Sequence, residues 1–198
     1  MNPEHRAYCA SARWAEILQE EILPWALGDR DLGDDLLEVG AGPGMSTDVL
    51  RQLVPRLTAV ELDDRLAAAL AARLAGTNVE VVHADATALP LESGRFSAVT
   101  CFTMLHHVPS AESQDQLLGE LRRVLRPGGL LVGSDSVATP ELREFHEGDT
   151  YVPIDPDTMA ARLRQVGFMD VEVQSSHPPA ERFRFLAHRP PERGGLDG

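Results

Sequence analysis

From residue 36 onward, short runs of aliphatic and β-branched residues alternate with stretches in which apolar positions recur every three or four residues. The short runs Leu36–Val39, Leu57–Leu62, Val79–His83, Phe96–Phe102, Leu130–Asp135, Val171–Ser175 and Phe183–Ala187 predict strands. The longer stretches Met45–Leu53, Arg65–Leu74, Gln114–Leu125 and Thr158–Val166 predict helices. Strands that take turns with helices are joined by crossovers and lie parallel, so the pattern predicts an open α/β sheet. The last two strands are separated only by SHPPAER, which is too short for a crossover helix. They are expected to pair antiparallel, giving a mostly parallel sheet with one reversed strand.

The polar residues between these runs act as punctuation. Asp63, then Ser110 or Ser113, then Asp157 stand where they can accept from the free N–H groups that open helices. Gly76 and Gly167 stand at helix ends, and Arg126-Pro-Gly-Gly129 predicts a stop and a turn into the fifth strand. Ahead of the sheet, Arg6–Leu27 carries Tyr8, Trp14, Ile17, Leu18, Ile22 and Trp25 at roughly helical spacing, broken at Pro24. That apolar face either packs on the sheet or forms a lid over a site. The last residues, 190–198, read as a frayed tail.

Composition narrows the class. With 198 residues, 43% apolar and 25% charged, the chain is expected to form one globular domain. The net charge is −13 and every basic residue is arginine, since no lysine occurs. So acidic a surface repels phosphate backbones, which argues against a nucleic-acid partner. No apolar run reaches the roughly 20 residues of a membrane helix. The start, MNPEHRAYCASARW, lacks the basic-then-apolar layout of a secretory leader, so a cytoplasmic protein is expected. Cys9 and Cys101 lie far apart without metal-ligand spacing and read as two reduced thiols.

The candidate chemistry begins in LLEVGAGPGMSTDVL, residues 36–50, where Gly40, Gly42 and Gly44 follow the first strand. Glycine there permits a tight turn and lets backbone N–H groups approach a ligand. A dinucleotide fingerprint would put its third glycine at position 45, which is Met45, and a phosphate loop needs a lysine that this chain lacks. Glu61 stands 21 residues past Gly40 at the end of the second strand, where an acid can accept from ribose hydroxyls of either a dinucleotide or another nucleoside. Glu38 could cap the turn or approach a ligand.

Glu38-Val-Gly40-Ala-Gly42-Pro-Gly44 resembles motif I of the class I S-adenosylmethionine (SAM)-dependent methyltransferases. His83-Ala-Asp85-Ala86 is similar to that family's adenine clamp. Phe96–Val108 is similar to its fourth-strand motif, and Leu121–Val132 to the segment entering its fifth strand. In order and spacing, over about Leu36 to Val137, these resemble the small-molecule branch of methyltransferase domain 11 type, which contains quinone-biosynthesis enzymes. The resemblance implies a Rossmann-like sheet of seven strands with the last antiparallel and helices on both faces. It implies one domain over residues 1–190, made of a helical cap or lid over 1–27 and an α/β core over 28–190, followed by a tail at 191–198.

The resemblance also implies SAM as cofactor and a small-molecule methyl acceptor. Gly40, Gly42 and Gly44 would shape the turn, Glu38 would lie near the cofactor's amino group, and Glu61 with Leu62 would meet the ribose. Asp85 and Ala86 would hold adenine, while Thr103 and Met104 would line the far side. A SAM-binding protein without catalysis, acting as sensor or partner subunit, stays open as an alternative. His106 and His107 end the fourth strand, where the methyl group would be displayed, and they are candidate catalytic residues. On an extended segment, neighbouring side chains point to opposite sides, so at most one should face the cofactor. Thr139–Pro156 lies after the fifth strand, at the edge where ligands of open sheets gather, and adds His146, Glu147, Asp149 and Tyr151. His146 is the third catalytic candidate. No neighbouring set has ligand spacing, so no metal is expected.

Overall fold

The computed structural model describes residues 2–176 and 182–192. Its seven strands are β1 (Asp35–Val39), β2 (Arg56–Glu61), β3 (Val79–His83), β4 (Phe96–Phe102), β5 (Leu125–Ser136), β6 (Met169–Ser175) and β7 (Arg182–His188). They form one sheet in the order β3-β2-β1-β4-β5-β7-β6. The pairs β1·β2, β1·β4, β2·β3 and β4·β5 are parallel. β7 is inserted between β5 and β6 and runs antiparallel to both, with Val132 opposite Leu186 and Val173 opposite Phe185. The expected reversed strand is therefore present, and the sheet order changes direction between β1 and β4. Ligands of open α/β sheets collect outside the strand ends at such a switch point.

Helices cover both faces, and alternating strand residues feed two apolar layers. On one face Leu37, Val99, Cys101 and Leu131 pack against Leu117, Leu121 and Val124 of α6 (Ala111–Val124) and Met159 and Leu163 of α8 (Pro156–Gln165). On the other, Leu36, Leu57, Ala98 and Val132 pack against Leu50 of α4 (Met45–Leu50), Leu70 of α5 (Asp64–Arg73) and the N-terminal helices. Those are α1 (Pro3–Cys9), α2 (Ala12–Ile17) and α3 (Leu23–Leu27), with a π-helical stretch over Leu18–Ile22. The remaining helix, α7 (Pro140–Phe145), follows β5. No helix of the described residues is long and apolar enough to cross a membrane.

Three local expectations change. The N-terminal segment breaks at Ala10–Ser11, where Ser11 caps α2, and not at Pro24. Leu23 N–H reaches back five residues to the Leu18 carbonyl, and Pro24, which has no N–H to place, sits in the first turn of α3. The last helix is capped by Asp155, whose side chain accepts from Asp157 N–H, because Pro156 occupies the first helical position. Arg126–Gly129 does not separate helix from strand. α6 passes directly into β5 at Leu125, and these residues form an irregular register between Phe96 and Ala98, with Gly128 at φ 77° donating to the Arg189 carbonyl. Asp63 and Ser110 cap α5 and α6 as expected. Of the proposed tail, residues 193–198 lie outside the described residues, as do 177–181 of the β6–β7 connection.

Candidate functional site

The turn after β1 is built for close approach. Gly40, Gly42 and Gly44 all have positive φ, of 78°, 55° and 89°. The reasons differ. A Cβ on Gly40 would lie 2.6 Å from Met104 Cγ, and one on Gly44 would strike Leu70 and Arg73, so these two glycines admit protein neighbours. A Cβ on Gly42 would meet nothing within 4 Å, and Gly42 borders open space. A cavity of about 610 Å³ begins there, at the carboxyl ends of β1, β2, β3 and β4. Its wall includes Gly40 and Gly42, Glu61 and Leu62, Asp85 and Ala86, and Thr103 and Met104.

The acids of the wall are fixed by backbone donors. Glu61 Oε2 accepts from Gly42 N–H at 2.8 Å and Oε1 from Asp63 N–H at 2.8 Å. Each oxygen keeps a lone pair for a ligand hydroxyl. Asp85 Oδ1 accepts from both the N–H and the hydroxyl of Thr87, each at 2.8 Å, which holds its carboxylate at the cavity edge. Leu62 is 65% exposed, a large apolar side chain left uncovered beside Glu61. Thr103 closes this side with φ 50°, a left-handed conformation a β-branched residue rarely adopts, while its N–H donates to the Ser134 carbonyl at 2.8 Å.

Two residues of the motif stand apart from the wall. Glu38 is 2% exposed and faces α4, where its carboxylate accepts from the Ser46 hydroxyl and, at 2.6 Å, from the Thr47 hydroxyl. Burial pushes its carboxyl up to about 7 against the pull of those two hydroxyl bonds. Glu38 supports the turn from beneath by tying β1 to α4, and Gly44 opens α4 as its N-cap.

The three candidate histidines come together, although not in the way an extended strand end would arrange them. Leu105–His107 is a 3₁₀ turn, so the His106 and His107 rings lie 4.2 Å apart between centroids instead of facing opposite ways. His107 is on the cavity wall, and its Nδ1 donates to the Thr150 carbonyl at 3.1 Å. His106 lies behind it, 5% exposed, with Nδ1 donating to Asp135 Oδ1 at 2.6 Å. Asp135 is fully buried and also accepts from His106 N–H. His146 ends α7, 5.0 Å from the His106 ring and stacked 4.3 Å from Tyr151.

A fourth ring, which the sequence does not single out, joins them. His5 of α1 lies 4.6 Å from His146 and 5.0 Å from His107, lines the cavity, and donates from Nδ1 to Asp149 Oδ2 at 3.0 Å. Nothing in the spacing of residues 5, 107 and 146 announces this meeting. The only local sign is Asp135, an acid that closely follows the apolar run Leu130–Val132. Burial, with repulsion between neighbouring rings, lowers the pKa of His5 and His146 and takes His107 down to about 3. Asn2 completes the seam between α1 and the α7 end: its Nδ2 donates to the Phe145 carbonyl at 3.0 Å and the Glu147 carbonyl at 3.1 Å. The N-terminal helix and the segment after β5 thus meet beside the cavity. Both cysteines are free; Cys9 lines the cavity with its thiol pushed up to about 11 by burial, and Cys101 is in the core.

Charge limits what this cavity can hold. Its wall carries Glu61, Asp63 and Asp85 against one arginine, Arg6. Such a wall accepts hydroxyls, amines and cationic groups and repels a diphosphate.

Comparison with known proteins agrees with this chemistry. Residues 37–133 match the family model described as a methyltransferase domain. A probable SAM-dependent methyltransferase of Mycolicibacterium smegmatis is 31% identical over 139 residues, covering 70% of this chain and 50% of the relative. A demethylmenaquinone methyltransferase of Clavibacter sepedonicus is 38% identical over 101 residues, covering 50% of this chain and 40% of the relative. The chain spans about half the length of the curated relatives it matches. In fold it is similar to a SAM-dependent methyltransferase from Aquifex aeolicus, with a TM-score of 0.74, 18% identity, and coverage of 96% of this chain and 99% of that one. With its glycine turn, the strand-end acids Glu61 and Asp85 and the inserted antiparallel β7, the chain belongs to the class I SAM-dependent methyltransferase family.

Proposed function

We propose that this protein transfers a methyl group from SAM to a small-molecule acceptor. The observation that carries the reading is the pair of carboxylates, Glu61 and Asp85, fixed by backbone N–H groups at the ends of β2 and β3 beside an open glycine turn, in a cavity whose acidic wall disfavours phosphate. The donor set fits an adenosyl group. Glu61 accepts from ribose hydroxyls, Asp85 accepts from the adenine amine, and the Ala86 N–H addresses a ring nitrogen. Gly42 leaves room for the remainder, and Thr103 and Met104 form the far wall. Glu38 acts indirectly, by holding the turn to α4.

When bound, SAM supplies an electrophilic methyl carbon already activated by a sulfonium. The chain's task is then to orient the acceptor in line and keep water out, an effect worth up to about 7–11 kcal/mol when the geometry is good. The contacts of Asn2 with the α7 end and of His5 with Asp149 bring two segments together beside a volume of about 610 Å³ shared by donor and acceptor, which favours a small acceptor. His107 reaches this space, yet with a pKa near 3 it is a poor proton acceptor at neutral pH.

Calorimetry with SAM and with Asp85→Ala tests the cofactor assignment. Loss of hydrogen bonds to a charged acceptor should weaken binding roughly 10- to 100-fold in a variant that circular dichroism shows to be folded; unchanged affinity would overturn it. Incubation with methyl-labelled SAM and a metabolite extract tests the reaction. Label appearing in a small acceptor supports the enzyme, and binding without transfer points to a SAM-binding sensor or subunit.

A further inference from the structure

The histidine cluster beside the cavity has a property that packing does not explain. One ring nitrogen from each of His5, His107 and His146 lies within 4.8 Å of the others. In all three rings Nδ1 is engaged by an oxygen: Asp149 Oδ2 at 3.0 Å, the Thr150 carbonyl at 3.1 Å and the Leu142 carbonyl at 2.6 Å. An imidazole that gives its Nδ1 proton to an oxygen carries its lone pair on Nε2. Each of the three rings therefore keeps Nε2 as its free acceptor, and that of His146, a residue 5% exposed, is buried with no donor partner among the described residues. A buried acceptor without a donor is destabilising. A cation ligated there removes that penalty. A carboxylate or carbonyl behind each ring is also the arrangement that fixes tautomer and orientation in metal-bound histidines.

We propose that His5, His107 and His146 form a binding site for a divalent transition ion of the zinc class, ligated through Nε2 of each ring. Three neutral imidazoles suit zinc, cobalt or nickel and do not suit magnesium or calcium, which take oxygen ligands. A tetrahedral ion with Zn–N bonds of about 2.1 Å places its ligands about 3.4 Å apart, so loading draws the rings inward from separations of up to 4.8 Å. Three protein ligands leave one position open, as in catalytic zinc sites. His5 and His107 line the cavity, so that position opens on the space shared with the cofactor turn. There it receives a donor atom of the methyl acceptor. This last assignment rests on the methyl-transfer reading; the ion site itself does not. It also gives His106 a place, since the His106–Asp135 pair packs directly behind His107 and His146.

The test uses full-length protein without a histidine tag, stripped with a chelator, incubated with zinc sulfate and desalted, with retained metal measured by mass spectrometry. One zinc per chain is expected, falling to background in His146→Ala and in His107→Ala. Asp149→Asn, which keeps all three ligands, should weaken zinc binding about 10- to 100-fold. Cobalt should give the intense visible absorption of a tetrahedral site in the wild type and lose it in His146→Ala, with circular dichroism verifying that each variant is folded. His107→Asn, at a ring on the cavity wall, serves if His146→Ala does not fold. A folded wild type that retains no zinc overturns the proposal, as does equal retention with an unchanged cobalt spectrum in the folded variants. SAM calorimetry on the metal-free protein reports the cofactor reading separately, so either can fail alone.

Discussion

Glu38 shows how a motif residue can serve a site from outside it. Its folded-state pKa of about 7 lies above the ordinary 4.5. A raised carboxyl pKa means the fold favours the protonated form, so this contribution is full below about pH 4.5 and is lost as pH rises through 7. Glu38→Gln removes the titration, so wild type should lose stability relative to the variant between those pH values, on the order of 3 kcal/mol in all. Urea denaturation of both proteins across that range reads this slope, and a pH-independent difference would show that Glu38 does not titrate there. The glycines separate in a similar way. Gly40→Ala meets Met104 at 2.6 Å as well as an unfavourable φ, whereas Gly42→Ala meets only the φ. Denaturation should show Gly40→Ala costing about 1–3 kcal/mol more than Gly42→Ala. The three glycines were legible in the sequence; which of them faces a ligand and which faces a neighbour was not, because that depends on residues as distant in the chain as Leu70, Arg73 and Met104.

At the scale of elements, local signals located the strands and helices to within a few residues, and the misses have local causes. Pro156 shifted the cap of α8 from Asp157 to Asp155, and the π-helical stretch let the N-terminal helix run through Pro24. The cap of α6 is a fair test of the local logic. Ser110 Oγ accepts from Ser113 N–H at 3.1 Å and begins the helix that buries Leu117, Leu118, Leu121 and Val124. Ser110→Ala should cost about 1 kcal/mol in chemical denaturation. The 3₁₀ turn at Leu105–His107 mattered most for the site, since it turned two divergent side chains into touching rings.

At the scale of the molecule, the cavity joins elements far apart along the chain, from α1 through Thr150. A ligand that binds only this assembled form stabilises it by mass action, about 2.7 kcal/mol at one hundred times Kd. For a chain of this size that corresponds to a rise in melting temperature of roughly 5–10 °C. Thermal unfolding with SAM should show this rise, and NAD at the same concentration should not, because the acidic wall opposes its diphosphate.

The sequence by itself determined the alternation of strands and helices, the reversal near the end, the glycine turn and the acids closing β2 and β3. These are local properties, set by periodicity, loop length and residue type within a few positions. Tertiary structure decided that Glu38 lies beneath the turn, that α1 meets the segment after β5, and that His5, His107 and His146 share one space. Those outcomes depend on how two apolar layers pack on opposite faces of the sheet. Contacts between residues more than a hundred positions apart are fixed by that packing, which no spacing along the chain records.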